Sequence, residues 1–450
     1  MDSVHGLCTI DQSLRRILDT QELQRLRWIH QTGLNFLVYP GSEHSRFTHA
    51  LGTYTVARRI FQHLASLAAE FSDLSPSKLD EQLEKAFLIA ALCHDLGHTA
   101  FSHTLETILL PKDFRTHEDC TAHLLGTDTA IAKEIRGCGC DIEQVVQLLK
   151  GVHWVDGLCK LLSGNADVDR WDYLLRDSQA AGVRYGIFDL NWMIHSLSLQ
   201  LDGTGRQRLV VDARRGLSVL KQFLRARSLM YEQVYLHRTV RGADRLLRAM
   251  FERAADPAKP TDYSDEKNRK APPVFRTVLS AEKPAKPSLQ DFLLTDDIAV
   301  VTLIKFWSNS SRDPVLRYLA TCFLRRRLFK EVGSWLDQAP KEFVNAARGA
   351  VAKGFAAQQV DIQLKEKDIE DAMDYFLLID TAESKSDETL EGILFDVGDG
   401  ALYTLEELNQ KPEFVTPVAV PPFRRVRLFV PYDVRKTVED TLGRNKEMEH

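Results

Sequence analysis

The chain has 450 residues, of which 44% are apolar, so it is long enough for two or three domains with a sizeable core. Its 58 Lys and Arg against 63 Asp and Glu give a formal net charge of −5, which excludes a general electrostatic attraction to nucleic acid or to an anionic membrane. Seven scattered cysteines fit a reducing compartment better than a disulfide framework. Because no apolar run reaches the length of a membrane span, we expect a soluble, cytoplasmic protein.

The first predicted elements are two short helices between residues 10 and 31, whose apolar residues follow helical spacing. The pair Asp19-Thr20 interrupts that spacing as a turn and cap. A longer helix is predicted from about residue 46 to residue 71. His49 lies on the apolar stripe of this helix, where a histidine is more often a hydrogen-bonded core residue than a ligand.

The stretch from Leu83 to Cys93 is apolar almost all round, which predicts a helix buried in the core. The polar pair His94-Asp95 follows directly. Two such side chains at the end of a buried helix are desolvated, and desolvation is costly unless something coordinates them. Later in the chain, Asp169, Tyr173 and Asp177 recur every four residues in a predicted helix, so they lie close to one face.

The predicted fold class is mainly α, in three parts. Residues 1–255 are predicted to form a helical core with a small β-hairpin, whose strands lie around Leu199 and at Leu209–Val211, and a long helix at 214–254. Six prolines among many charges mark 256–287 as a linker or mobile insert. Residues 288–450 contain further helices and three strand-like runs, YFLLID, GILFDV and RVRLFV, which predict a smaller helical and α+β lobe.

Four residues at three predicted helices are candidate metal ligands: His49, His94, Asp95 and Asp169. Helices that converge on one point are a common way to build a metal site in an α-helical protein. Two imidazoles and two carboxylates suit a divalent ion such as Mn, Mg, Fe, Co, Ni or Zn, with positions left for water. Bound water becomes much more acidic, so no side-chain nucleophile is needed.

The order of these four residues, and the stretches RFTHALG, CHDLGHTAFSHTLE and ADVDRWDYLLRD, resemble the HD superfamily of metal-dependent phosphohydrolases. More specifically they are similar to its deoxynucleoside triphosphate triphosphohydrolases, from about residue 4 to residue 250. The resemblance implies an HD core in residues 1–255. It also implies hydrolysis of a dNTP to a deoxynucleoside and inorganic triphosphate, by water attack on the α-phosphorus.

The same resemblance implies roles for five polar residues around the metal ligands. Arg46 matches an arginine that contacts a substrate phosphate, a role suited to its charged fork. His103 matches the group that protonates the departing 5′ oxygen, and Glu106 the carboxylate that orients it. His98 and His117 match histidines that hold phosphate oxygens and water.

Further residues match the substrate pocket of that family. Tyr173 and Asp177 match residues around the sugar, Tyr235 a tyrosine that crowds the 2′ position, and Gln31 a residue near the sugar edge. Arg170 stands where the family has a lysine, which preserves the charge but not its reach.

The resemblance extends to regulation and assembly. Asp19, Gln24 and Arg27 resemble residues that read guanine in the family's regulatory site, so activation by GTP or dGTP is a hypothesis. A homo-oligomer, and specifically a homotetramer, is expected by resemblance only. Binding of nucleic acid at an oligomer interface could coexist with catalysis, although the net charge does not indicate it.

Two alternatives stay open at this stage. The same metal site could hydrolyse nucleoside monophosphates or another phosphoester. A nucleotide-binding or nucleic-acid-binding HD module without turnover is the third interpretation, and it predicts loss of reactive residues that this chain retains.

Overall fold

The computed structural model describes residues 1–70, 79–202, 206–256, 275, 279, 287–357, 364–383, 390, 392–414 and 424–443. The predicted linker at 256–287 therefore lies almost wholly outside the described residues. Within them the chain is mainly α with small sheets, which confirms the predicted fold class. No helix in these ranges is both long enough and apolar enough to cross a membrane.

The helices up to residue 254 are α1 Gln12–Leu18, α2 Gln21–Arg25, α3 Arg46–Glu70, α4 Glu81–Cys93, α5 Glu106–Leu109, α6 His117–Gly126, α7 Ala130–Gly137, α8 Ile142–Leu149, α9 Asp156–Ser163, α10 Val168–Ala181, α11 Leu190–His195, α12 Ala213–Met230 and α13 Arg238–Ala254. Those that follow are α14 Leu289–Leu293, α15 Asp297–Ser310, α16 Pro314–Leu324, α17 Lys341–Ala357, α18 Glu366–Glu370, α19 Met373–Phe376, α20 Leu405–Asn409 and α21 Arg435–Leu442. The strands are β1 Leu197–Leu201, β2 Gln207–Asp212, β3 Lys330–Trp335, β4 Leu378–Glu383, β5 Ile393–Asp396, β6 Leu402–Tyr403 and β7 Arg424–Val430.

Helix α4 is the buried helix that the sequence predicts. The Asp80 side chain caps its start by accepting from the backbone N–H of Leu83, and every residue from Ala86 to Cys93 is buried. The helix packs against α3 and α8. Because it ends at Cys93, it delivers His94 and Asp95 at the point where α3 and α10 also meet.

The predicted hairpin is present, and the chain adds strands to it from far along the sequence. β1 and β2 are antiparallel, with Leu197 opposite Val211. β2 also pairs in parallel with β5, which gives the order β1-β2-β5-β6. A second antiparallel sheet has the order β3-β7-β4. The three strand-like runs of the sequence correspond to β4, β5 and β7.

The prediction of one helix over 214–254 is wrong in detail, because the chain breaks between α12 and α13. Residues Tyr231–Tyr235 form a π-helical turn, and α13 begins again at Arg238 with the His237 side chain as its cap. A π-turn inserts an extra residue per turn and is frequent at functional sites. Here it turns Tyr231 and Tyr235 towards the cleft described below.

Contacts cross the predicted boundary at residue 255. Asp297, at the start of α15, is 3% exposed. One of its carboxylate oxygens accepts from the backbone N–H of Phe101 at 2.6 Å, and the other accepts from the backbone N–H of His30 at 2.9 Å. The His30 ring Nδ1 is 2.6 Å from that same oxygen. The division into domains stays a prediction, but a residue beyond 288 fixes a loop of the first part.

That loop holds an unusual backbone conformation. Phe101 and Ser102 have φ values of 52° and 57°, a left-handed region that side chains other than glycine seldom adopt. Ser102 Oγ donates towards the carbonyl of His30 at 2.9 Å, and Asp297 holds the Phe101 N–H. Tertiary hydrogen bonds therefore offset the local strain just before His103.

Asp297→Ala is expected to lower the free energy of unfolding by about 3 kcal/mol, because it leaves buried N–H donors of Phe101 and His30 without an acceptor. Thermal unfolding followed by circular dichroism would show a fall in Tm of several degrees. The control is Asp291→Ala, which removes an exposed carboxylate from the neighbouring α14. Equal Tm values for the two variants would contradict this account of the loop.

Candidate metal centre and active site

The four predicted metal ligands come together at one point. His49 lies one turn into α3 and is fully buried. Its Nε2 atom is 3.2 Å from Nε2 of His94 and 2.9 Å from Oδ1 of Asp169. His94 Nε2 in turn is 3.3 Å from Asp95 Oδ1 and 3.5 Å from Asp169 Oδ1. The end of α4 and the starts of α3 and α10 supply these side chains.

Hydrogen bonds at the far side of each ring set the tautomers of the two histidines. His94 Nδ1 is 2.9 Å from the carbonyl oxygen of Ala91, and His49 Nδ1 is 2.7 Å from Oδ2 of Asp172. Since these oxygens can only accept, we assign a proton to each Nδ1. When each Nε2 atom is deprotonated, as metal ligation requires, the two lone pairs face each other, and a cation between them removes their repulsion. The donor set therefore fits a divalent metal ion.

The charges around these rings favour a positive ion. Burial would lower the pKa of His49, but hydrogen bonds to Asp169 and Asp172 raise it to about 10. Burial would raise the pKa of Asp169, but hydrogen bonds from His49 and His94 lower it. Both effects mean that the carboxylates stay ionised and bind positive charge, whether it arrives as protons or as a metal ion.

Arg46 holds Asp95 from the other side. Its Nη1 is 2.5 Å from Asp95 Oδ2, and its Nε donates to Ser102 Oγ at 3.1 Å. Burial would raise the pKa of Asp95, but the Arg46 guanidinium holds it well below its usual range. Asp95 is therefore a carboxylate with one oxygen paired and the other, Oδ1, turned to His94 and to His98 at 3.2 Å.

Three histidines form a second group beside the first, and Glu106 links two of them. Glu106 accepts from His103 Nδ1 at 2.9 Å and from His117 Nδ1 at 3.0 Å. The His98 and His117 rings stack with centroids 3.7 Å apart. Burial would raise the pKa of Glu106, but the hydrogen bonds from His103 and His117 lower it. Burial and the nearby Arg46 lower the pKa of His98 well below its usual value, so His98 stays neutral.

Of these groups His103 is the one open to solvent, with 69% of its side chain exposed. Its Nδ1 is bound to Glu106, so Nε2 is the atom available to a ligand. The ring lines a cleft of about 890 Å³ that also contains His94, Asp95 and Asp169. His103 and three of the four candidate metal ligands therefore line one cavity.

Aromatic residues form another wall of this cleft. Asp177 accepts from the Tyr235 hydroxyl at 2.8 Å, and its other oxygen is 2.7 Å from His44 Nε2. The centroid of the Tyr173 ring lies 6.4 Å from that of the His49 ring and 6.1 Å from that of the Tyr235 ring. Among the described residues, the buried Oε1 atom of Gln31 has no hydrogen-bond partner, and Gln31 lines the same cleft. These groups suit a polar ring with hydroxyls, such as a sugar.

Arg170 lines the cleft but is already held. Its Nη1 donates to the carbonyl of Gly164 at 2.6 Å and pairs with Asp167. Burial raises the pKa of Asp167 to about 7, and Arg170 opposes that rise. Arg170 is thus anchored at the rim, with its charge partly balanced before any ligand arrives.

The predicted regulatory residues lie elsewhere, on α1, α2 and the turn that follows. Arg27 Nε donates to Gln24 Oε1 at 2.7 Å, and Gln24 Nε2 donates to the carbonyl of Leu18 at 2.7 Å. Asp19 and Arg27 are exposed. The structure brings Gln24 and Arg27 together, but none of the three lines the cleft. Nucleotide activation stays a prediction.

Two glycines allow the helices to approach closely enough to build the site. A Cβ atom at Gly52 of α3 would lie 1.9 Å from Asp172 Oδ1, and one at Gly97 would lie 2.0 Å from the carbonyl oxygen of His117. Neither position leaves room for a side chain. Gly52 admits the carboxylate that binds His49, and Gly97 lets α6 bring His117 against His98.

A network behind His49 was not predicted from the sequence. Asp172 is fully buried, and its Oδ1 is 2.6 Å from His5 Nε2 and 2.8 Å from Arg176 Nη2. Arg176 also pairs with Asp2 at 2.9 Å. Asp172 lies three residues after Asp169 on α10, a spacing that could have indicated it. Nothing local distinguishes Asp2 or His5.

A comparison with protein families agrees with this geometry. Residues 46–149, which include His49, His94, Asp95, His98 and His117, match the family model described as the HD domain. The chain contains an HD domain. Asp169 lies beyond the matched residues and joins the site through α10.

Similar proteins extend over more of the chain than the HD domain. The uncharacterised protein YwfO of Bacillus subtilis is 29% identical over 333 residues, which cover 74% of this chain and 71% of that protein. The human deoxynucleoside triphosphate triphosphohydrolase SAMHD1 is 26% identical over 405 residues, which cover 82% of this chain and 60% of that protein. A crystal structure described as a phosphohydrolase from Bacteroides thetaiotaomicron has a TM-score of 0.77 at 26% identity, and covers 95% of this chain and 98% of that one.

If the hydrogen-bond network behind His49 orients that ring, removing a member of the network should weaken metal binding. His5→Ala is expected to weaken Mn²⁺ binding about tenfold or more, because residues that orient a ligand histidine are worth roughly 10–100-fold in metal affinity. Isothermal titration of untagged protein measures the affinity directly. His5→Gln, which keeps an N–H group, should lose less.

The matched control is His195→Ala, which removes an exposed histidine outside the cleft. It should leave the affinity unchanged. Wild-type affinity in His5→Ala would contradict an orienting role for the network.

Proposed function

We propose that this protein is a metal-dependent phosphohydrolase that cleaves deoxynucleoside triphosphates to a deoxynucleoside and inorganic triphosphate. The observation that carries the proposal is the sharing of one cleft by two groups of residues. One is the His49, His94, Asp95 and Asp169 cluster, and the other is the pair His103-Glu106. The human relative named as a dNTP triphosphohydrolase and the Bacteroides phosphohydrolase structure support it.

The two groups divide the work of hydrolysis. His49, His94, Asp95 and Asp169 would hold a divalent ion, which would supply Lewis-acid activation of a water molecule and of the phosphate. Arg46, at the edge of that cluster, stabilises negative charge on phosphate oxygens, and its pairing with Asp95 fixes its position. Water oxygen forms the new bond to the α-phosphorus while the bond to the 5′ oxygen breaks.

His103 is the proposed general acid. The departing 5′ oxygen needs a proton, and the Nε2 atom of His103 is exposed to the cleft. Glu106 accepts from Nδ1, and this hydrogen bond orients the ring. The same carboxylate holds His117 against the neutral His98, and this pair can donate to phosphate oxygens.

The aromatic wall is the proposed sugar site. Asp177 carries a fixed hydrogen bond from Tyr235, and its carboxylate can accept from a 3′ hydroxyl. Tyr173 and Gln31 complete that wall, and Arg170 supplies charge at the rim. Regulation by GTP or dGTP through Asp19, Gln24 and Arg27, and assembly into a homotetramer, belong to this proposal as further expectations.

The deciding experiment is to identify the products. Purified protein is incubated with Mn²⁺ or Mg²⁺ and with each dNTP, NTP and dNMP, and phosphorus NMR follows the products. Tripolyphosphate and a deoxynucleoside are expected from dNTPs. Release of orthophosphate from dNMPs alone would overturn the choice of substrate.

His94→Ala with Asp95→Ala is expected to abolish both turnover and Mn²⁺ binding, because it removes half of the ligand set. The double variant also serves as the control for contamination. Turnover that survives it would come from another enzyme in the preparation.

His103→Gln is expected to lower kcat by roughly 10²–10⁴-fold, because the leaving oxygen then departs without a general acid. Mn²⁺ affinity should not change, since His103 lies outside the four ligands. The paired control is His123→Gln, an exposed histidine of α6 outside the cleft. A similar kcat in His103→Gln and wild type would assign the proton donor elsewhere.

A further inference from the structure

The cleft extends past the metal cluster along one face of α13. Val240, Arg241, Asp244, Arg245 and Arg248 line this extension beside Thr104, and Thr32 and Gly33 line the same cleft. The three arginines stand at i, i+4 and i+7, so they project from one face over about 10 Å of helix. The whole cavity of about 890 Å³ is near the upper end for small-molecule sites, so there is room beyond the reacting groups.

Arg241 and the carboxylates of this extension are already engaged. Arg241 forms a double hydrogen bond with Asp380, at 2.9 Å from Nε and 2.5 Å from Nη2. Asp244 accepts from the Thr104 hydroxyl at 2.8 Å and lies 3.8 Å from Arg241. Burial raises the pKa of Asp244 to about 6. Because these groups bind one another, few of their donors and acceptors are available to a ligand.

Among the described residues, neither Arg245 nor Arg248 forms a salt bridge like that of Arg241 with Asp380. Arg248 Nε donates to the backbone carbonyl of Thr104 at 2.7 Å. In the part of the chain that the structure describes, the buried Nε of Arg245 has no hydrogen-bond partner. Burial, followed by the charge of Arg245, lowers the pKa of Arg248. Two adjacent cations thus face the cleft with their guanidinium groups largely free.

Two neighbouring cations raise the free energy of the folded state unless an anion binds to them. Two half-buried like charges repel each other, and a buried donor without an acceptor adds a desolvation penalty. Guanidinium groups match phosphate oxygens in charge and in planar geometry. Because Arg248 binds the carbonyl of Thr104, the pair lies next to His103, the proposed acid.

We propose that Arg245 and Arg248 form a second phosphate-binding subsite of the cleft, separate from the metal cluster. This inference rests on the proposed function in one respect, which is that the substrate is a nucleotide with several phosphates. The phosphate has two sources, a non-reacting phosphate of the bound substrate or the inorganic triphosphate that is released. Both present the same chemistry to the two arginines.

The binding test uses the full chain without metal, so that the metal cluster does not contribute. Isothermal titration measures the affinity of inorganic tripolyphosphate for EDTA-treated, dialysed protein. Arg245→Gln and Arg248→Gln are each expected to weaken it about tenfold or more, since a charged hydrogen bond is lost. Arg245→Lys keeps the charge and should lose less.

The matched control is Arg225→Gln, the same change at an exposed arginine of α12 outside the cleft. It should bind tripolyphosphate as the wild type does. Equal affinities for wild type, Arg245→Gln and Arg248→Gln, or an equal loss in Arg225→Gln, would overturn the subsite. Among the described residues the buried Nε of Arg245 has no hydrogen-bond partner. The fold should therefore survive the replacement of Arg245, and circular dichroism checks this.

Steady-state kinetics separate the two sources. If the subsite holds a phosphate of the substrate, Arg245→Gln raises KM about tenfold with kcat nearly unchanged. If it holds the released anion, KM is unchanged and inhibition by added tripolyphosphate weakens by the same factor. Absence of dNTP turnover would refute the proposed function alone, because the binding test needs no catalysis.

Discussion

The structure depends on keeping two imidazoles and two carboxylates together in a buried place. Asp172 makes this arrangement stable, because it binds the back of His49 while Arg176 and His5 bind Asp172 in turn. Charge and hydrogen bonds are thus satisfied on the protein side of the cluster, and the Nε2 atoms are left to face an ion. The small size of Gly52 is part of the same constraint.

A second constraint acts on the loop that carries the proposed acid. The chain reaches His103 through two left-handed residues, and this conformation depends on hydrogen bonds from elsewhere in the fold. Asp297 supplies one of them from α15. The residues that match the HD domain therefore do not build the cleft alone, because α10 and α13 line part of it and α15 holds one of its loops through Asp297.

Much of the site could be predicted from the sequence because its motifs are local. The His94-Asp95 pair follows a helix whose burial is visible in its composition, and the four ligands fall in the order of a known superfamily. The hairpin and the later strands were also predicted. The network of Asp2, His5 and Asp172 was not, because contacts between residues far apart in sequence leave no periodic signal. The break at Tyr231–Tyr235 was missed for a different reason, since Tyr231, Tyr235 and Arg238 stand at the i, i+4 and i+7 spacing of a continuous helix.

The parallel pairing of β2 with β5 has a consequence for how the chain acquires its shape during synthesis. Strand β2 ends at Asp212, but its partner on one side is Ile393–Asp396, which leaves the ribosome far later. Until then one edge of the hairpin offers unpaired backbone groups to any neighbouring strand. The nascent protein therefore exposes an unpaired strand edge from the synthesis of β2 until that of β5, and a chaperone that shields such edges would act at this hairpin.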